Sequence, residues 1–173
     1  MRTREEWVAL ALAHARSETG NDIEATLATL DPDPVYELQP VGRVMRGMPA
    51  ARRYYEHFFA VFRPLVRGFE LRSEWVTDAG VGQEYVITLA TPDEAQRAAG
   101  ERSGTQASTG TSSSNTVASA QRAAGERSGS FERHHVIGIL TFGKEALSGE
   151  RVYASERLLR IMFGPAYDLT EPL

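Results

Sequence analysis

Two adjacent histidines, His134 and His135, carry the most informative chemistry in this 173-residue chain. An imidazole titrates at about pH 6.5 and serves as a general base near neutrality when a carboxylate orients it. Adjacent strand residues point to opposite faces, so the two cannot form one metal site, and only one can face an interior. His135 keeps step with Ile137 and Ile139, and His134 with Val136, Gly138, Leu140 and Phe142. Alternation leaves open which set points inward. Acidic partners within reach of the same sheet are Glu37, Glu74, Glu84 and Glu132. Glu84 stands among Val86, Ile87 and Leu89, where an inward carboxylate needs a partner. Glu37 shares the other candidate polar face with Gln39. The catalytic candidates are therefore His135, His134, Glu84 and Glu37.

Aromatic residues supply the rest of a site. Tyr36, Tyr54, Tyr55, Trp75, Tyr85 and Tyr153 offer hydroxyl or indole donors on large apolar surfaces. Tyr55 can share a cavity-lining helix face with Phe58 and Phe62, and Phe59 belongs to the same aromatic stripe. Trp75 keeps strand parity with Leu71 and Ser73. Gln39, Tyr55, Phe59, Trp75, Tyr153 and Ser155 are the candidates for ligand contact, in a pocket suited to a flat or apolar molecule.

Other chemistries are excluded or unsupported. The chain has no cysteine, hence no disulfide or thiolate nucleophile. It has no Gly-x-Ser-x-Gly elbow, phosphate-binding glycine loop or His-Glu-x-x-His sequence. His14 and His57 lie in separate elements, so no metal is expected, and no motif calls for a cofactor. A net charge of -4 gives no general attraction to nucleic acid. No window approaches the roughly 18 apolar residues of a membrane helix, and the first residues lack signal-peptide character. The expectation is a cytoplasmic, single-domain protein spanning 1–173.

The elements that must position these residues follow from periodicity. Thr3 and Glu6 fit a capping box, Trp7, Leu10, Ala11 and His14 mark one helix face, and Gly20 ends it. Asn21 with Glu24 repeats the capping signature before Ile23, Leu27 and Leu30. Asp31-Pro32-Asp33-Pro34 stops that second helix. A third begins near Pro49 and carries Ala51, Tyr54, Tyr55, Phe58, Phe59 and Phe62 to Pro64. Strand patterns cover 35–39 with 43–46, 69–77 with 81–91, and 131–142 with 150–156, each pair joined as a hairpin or loop. The run from Leu158 to Met162 reads equally as a strand end or a helical turn.

Between Tyr85 and Phe131 no aromatic residue occurs, and 103–119 is almost wholly small and polar. Gln96-Arg97-Ala98-Ala99-Gly100-Glu101-Arg102-Ser103-Gly104 returns 25 residues later at Gln121–Gly129. Such a stretch buries too little apolar area to order itself, so about 92–130 reads as a loop insert enlarged by duplication. Helices at one end and hairpins at the other predict an α+β fold: a cone-shaped, curved antiparallel or mixed sheet packed against three N-terminal helices and enclosing a pocket.

Gly20-Asn21-Asp22-Ile23-Glu24, then Asp33 to Gly42, Gly47 with the third helix, Gly149 to Ser155 and Leu158 to Gly164 together resemble the SnoaL-like polyketide cyclase branch of the nuclear transport factor 2-like superfamily. That superfamily includes steroid isomerases, scytalone dehydratase and limonene epoxide hydrolase. The likeness covers 1–91 and 131–165 and none of the insert. It implies a homodimer with an apolar pocket and cofactor-free acid–base chemistry, of isomerase, cyclase or hydratase/dehydratase type, on a small apolar or aromatic metabolite. The alternative it implies is a non-catalytic ligand-binding or accessory domain. Steroid isomerases carry an aspartate base where Gln39 precedes Pro40, and many SnoaL-like chains carry an acid where this one has Ser155. A neutral amide cannot take up a substrate proton at ordinary pH.

Overall fold

A computed structural model describes residues 2–91 and 131–173. The expected insert at 92–130 lies outside the described residues. Helix α1 spans Arg4–Thr19, and its capping box is formed: the Thr3 side chain accepts from the Glu6 amide, and the Glu6 side chain accepts from the Thr3 amide. Replacing Thr3 by alanine removes one of these bonds and should cost about 1 kcal/mol in urea-induced unfolding.

Helix α2 is one short turn, Ile23–Leu27, and Asp22 rather than Asn21 caps it. The Asp22 carboxylate accepts from the Ala25 amide at 2.9 Å, while Asn21 takes the left-handed backbone (φ 55°) that asparagine tolerates. The chain then enters strand β1, Leu30–Gln39, earlier than the two prolines suggest. Its pairing with the neighbouring strand is irregular between Leu30 and Val35, so Pro32 and Pro34 break no regular ladder.

Strand β2 (Arg43–Arg46) returns beside β1 and leads into α3, Met48–His57, with Pro49 in its first turn. A wider turn through Phe58–Phe62 and a tighter one through Arg63–Leu65 carry the aromatic stripe onward. Strands β3 (Val66–Thr77), β4 (Gly80–Ala90), β5 (Phe131–Phe142) and β6 (Leu147–Tyr153) follow. The ambiguous run after them is helical: α4, Glu156–Phe163, starts where the Ser155 hydroxyl accepts from the Leu158 amide. A short strand β7, Glu171–Pro172, closes the chain against β2.

The seven strands form one curved, unclosed sheet in the order β3-β4-β5-β6-β1-β2-β7. All pairs are antiparallel except β1 with β6. The mixed α+β cone read from the sequence is thus present, with α4 added to the three earlier helices. Tyr36, Leu38, Tyr54, Tyr55, Phe62, Leu158, Leu159 and Phe163 pack between helices and sheet, each almost wholly buried. At roughly 1.5–3 kcal/mol per large apolar side chain, this packing holds the helices on the sheet. Tyr54 stacks on Phe163 at 4.3 Å. Among the described residues no helix is long and apolar enough to cross a membrane.

Register assigns the faces of the sheet. Tyr36 lies opposite Glu150, Glu150 opposite Leu140, Gln83 opposite Gly138 and Tyr85 opposite Val136, so these residues share the helix-facing side. Glu37, Gln39, Glu84, His135, Ile137 and Tyr153 share the outer side.

Candidate functional site

Where the helices do not cover the inner face, a cavity of about 420 Å³ opens. That volume is within the range of small-molecule sites. Its wall from α1 includes Leu12, Ala15 and Glu18, and its aromatic wall is Tyr54, Phe58 and Phe62. From the sheet come Phe69, Glu74, Gln83, Tyr85, Gly138, Leu140 and Glu150. Most of the surface is apolar, and the polar groups are few enough to orient a ligand.

Glu150 is the central polar group. Its carboxyl has no hydrogen-bond partner among the described residues. Burial, and secondarily the negative charge of Glu18, push its pKa up to about 8. At neutral pH it is therefore largely a neutral acid, able to donate a proton into the cavity. The Tyr85 and Tyr54 phenols also lack protein partners among the described residues, and burial raises both well above the ordinary tyrosine range. They stay protonated donors.

Gly138 makes room for this arrangement. A methyl group there would lie 2.7 Å from Glu150 Oε1 and 3.4 Å from the Tyr85 hydroxyl. The carboxyl would have to swing into the cavity. Gly138→Ala should keep the fold yet weaken binding of a neutral apolar probe such as N-phenyl-1-naphthylamine roughly tenfold in a fluorescence titration.

The carboxylates around the cavity are held differently. Glu74 accepts from Gln83 at 2.6 Å across the β3–β4 pair. Glu18 lies 3.3 Å from His14 Nε2 one helical turn away. Arg63, half-buried on the cavity wall, makes no ion pair among the described residues.

The residues expected from the sequence fall elsewhere. His135 is exposed on the outer face, opposite Val86. His134 is on the inner face opposite Ile87 but does not line the cavity; its buried Nε2 has no hydrogen-bond partner and lies 3.4 Å from Glu132. Glu84 faces outward across from Ile137, and Glu37 makes an outer-face ion pair with Arg151 at 2.6 Å. The structure brings none of these four to the cavity wall, and it sets Glu84 and His135 on the outer face of adjacent strands.

The proposed ligand contacts divide similarly. Tyr55 is fully buried behind the wall, where its hydroxyl meets Tyr36 at 3.1 Å and His14 at 3.0 Å. Phe59 packs against it at 5.8 Å, also outside the cavity lining. Trp75 covers Gly82 on the outer face, where a side chain on that glycine would meet its ring at 2.2 Å. Gln39 and Tyr153 are on the outer face, and Ser155 caps α4. Among the described residues no cluster of metal-ligating groups occurs.

The cavity groups that sequence reasoning missed left a faint trace. Glu150 alternates with Val152 and Ser148, and Glu18 follows His14 by one turn on a stripe that includes Ala11. Either pattern marks a face, but neither says that the face is hollow.

No family model matches the sequence, and no curated protein matches it. Solved structures do. One is the epoxide hydrolase/cyclase-like enzyme SalBIII of pyran ring formation in polyether salinomycin. It is 12% identical, with 91% of this chain and 96% of that one covered and a TM-score of 0.57. Another is a nuclear transport factor 2-like protein of unknown function from Cytophaga hutchinsonii, 8% identical over 84% of this chain and 96% of that one, TM-score 0.53. The chain has the nuclear transport factor 2-like fold. A third solved structure, of a hypothetical protein with a ketosteroid isomerase-like fold from Catenulispora acidiphila in complex with trimethylamine, is 14% identical. It covers 91% of this chain and 95% of that one, with a TM-score of 0.50. Nuclear transport factor 2-like proteins share a scaffold rather than an activity, so the chemistry here must be argued from the cavity.

Proposed function

We propose that this nuclear transport factor 2-like protein is a cofactor-independent enzyme doing acid–base chemistry on a small, largely apolar metabolite bound in the cavity. The observation that carries the reading is Glu150: a carboxylic acid kept neutral in an apolar wall, beside the Tyr85 phenol and without a protein partner among the described residues. Environments that separate the proton affinities of neighbouring carboxyls are how acid and base roles are assigned in one site. Glu150 would protonate a substrate oxygen, and Tyr54 and Tyr85 would hold that oxygen by hydrogen bonds. Isomerisation, cyclisation and hydration or dehydration all fit this set, and SalBIII shows a cyclase-like enzyme on the same scaffold.

A screen of neutral ketones, epoxides and hydroxy compounds, each followed for both binding and conversion, tests the proposal. A converted compound should lose at least about 100-fold in kcat with Glu150→Gln while its binding persists. Saturable binding without conversion across the screen would instead support the accessory, ligand-binding reading.

As part of the same proposal the protein is a homodimer joined through the outer sheet face. There Ile137 and Tyr153 sit side by side in register and remain exposed. Light scattering should return twice the 19.1 kDa chain mass.

A further inference from the structure

Two sets of aromatic rings line the cavity. On the helix side Tyr54, Phe58 and Phe62 follow one another with ring centroids 5.5 and 5.2 Å apart, and on the sheet side Phe69 packs on Tyr85 at 4.9 Å. The face of an aromatic ring carries partial negative charge, so rings set around a space attract a cation, an ammonium group above all.

The acidic side chains add charge of the same sign. Glu150 is buried, opens on the cavity and has no hydrogen-bond partner among the described residues. The negative charge of Glu18 acts on it, and both acids act on the Tyr54 and Tyr85 phenols. Among the described residues no positive group acts on any of the three, although Arg63 shares the wall. A neutral apolar ligand leaves that field uncompensated. An ammonium group clothed in methyl or methylene carbons answers both features, its carbons on the rings and its charge towards the acids.

We propose that this end of the cavity binds an organic cation, an alkyl- or arylalkyl-ammonium, with its carbons against the aromatic rings and its charge between Glu150 and Glu18. The inference goes beyond the acid–base reading: it concerns the same cavity and needs no turnover there.

Binding is coupled to a proton. Without a ligand Glu150 keeps its proton up to about pH 8, because burial and the charge of Glu18 both oppose ionisation. An ammonium beside it counters the second cause and supplies the missing partner, so the carboxyl ionises and its proton passes to solvent. The groups that face Glu150 are Glu18 on α1, Tyr54 on α3, Tyr85 on β4 and Tyr36 on β1, and β5 presents Gly138 there. Glu74 on β3 and Arg63 complete the charged groups of the described wall. Burial keeps the three phenols protonated throughout. A bound cation therefore strips the cavity of its acid and should inhibit any reaction that needs it.

Calorimetric titration with benzyltrimethylammonium, benzyl alcohol and benzoate tests the proposal with three benzyl or phenyl probes that differ in charge. The first is cationic at every pH, so any proton exchanged comes from the protein. At pH 7 its binding should release close to one proton per chain, read from the difference between phosphate and Tris buffers. Its affinity should rise about tenfold per unit from pH 6 to pH 7.5 and level off above about pH 8. Glu150→Gln should abolish both the release and the pH dependence, while benzyl alcohol binds within about twofold of the wild type. Absent cation binding, cation binding without proton release, or benzoate as the tightest of the three would overturn the proposal. The wild-type proton count decides even if the variant fails to fold. Proton-linked cation binding in a protein that converts none of the screened compounds defeats only the enzymatic reading. Turnover of a neutral compound without such binding defeats this inference alone.

Discussion

Glu150→Gln should stabilise the protein above pH 8 and change little at pH 4.5. The direction follows from where the proton sits in each state. Unfolded, Glu150 releases its proton near 4.5; folded, it keeps it up to about pH 8. Between those values the folded chain binds the extra proton, so wild-type stability falls as pH rises through the window and levels off above it. Each pH unit costs at most about 1.4 kcal/mol. Water entering the cavity trims the whole to roughly 3 kcal/mol, on the order of 10 °C in Tm. Glutamine keeps the shape and removes the charge, so its advantage should appear in thermal melts at pH 9 and vanish at pH 4.5. Equal Tm differences at both pH values would contradict the burial of this carboxyl.

The second large effect concerns the strand that carries Glu150. Gly149 has φ 129°, a conformation L side chains rarely adopt, and a methyl group there would lie 1.9 Å from the Val35 carbonyl oxygen. That close approach lets β6 run parallel to β1 and sets Glu150 opposite Tyr36. Gly149→Ala forces both a strained backbone and a backbone collision, with no flexible side chain to yield. It should lose about 3 kcal/mol or more in denaturant unfolding. Cavity-probe binding should weaken in parallel. A variant as stable as the wild type would mean that β6 does not lie this close to β1.

Local chemistry made most of the fold legible. Thr3 and Glu6 mark α1 because a capping box is a property of neighbours, and the strand patterns over 69–77 and 81–91 mark the β3–β4 hairpin because its two arms are adjacent in sequence. The start of β1 was hidden because Asp31-Pro32-Asp33-Pro34 signals the end of a helix equally well. Asp31 finds its role only from the far end of the chain, where its carboxylate accepts from the Ala146 amide at 3.0 Å.

The site was less legible, for a three-dimensional reason. Alternation separated His134 from His135 and Glu37 from Tyr36, but it could not say where the helices leave the inner face uncovered. Glu37 looked inward-capable until Arg151, distant in sequence, proved to be its outer-face partner. Trp75 looked like a pocket residue, yet it covers Gly82 on the outer face. Glu150 and Glu18 come from β6 and α1, at opposite ends of the chain, and only tertiary packing places both on one cavity.

Carboxyl infrared difference spectra between wild type and Glu150→Gln, recorded from pH 4 to pH 10, put the central claim to its most direct test. A protonated-acid carbonyl band that belongs to Glu150 at pH 7 and disappears with a midpoint near 8 is the predicted result. A carboxylate already ionised at pH 6 would leave the cavity without its acid and remove the basis for the proposed chemistry.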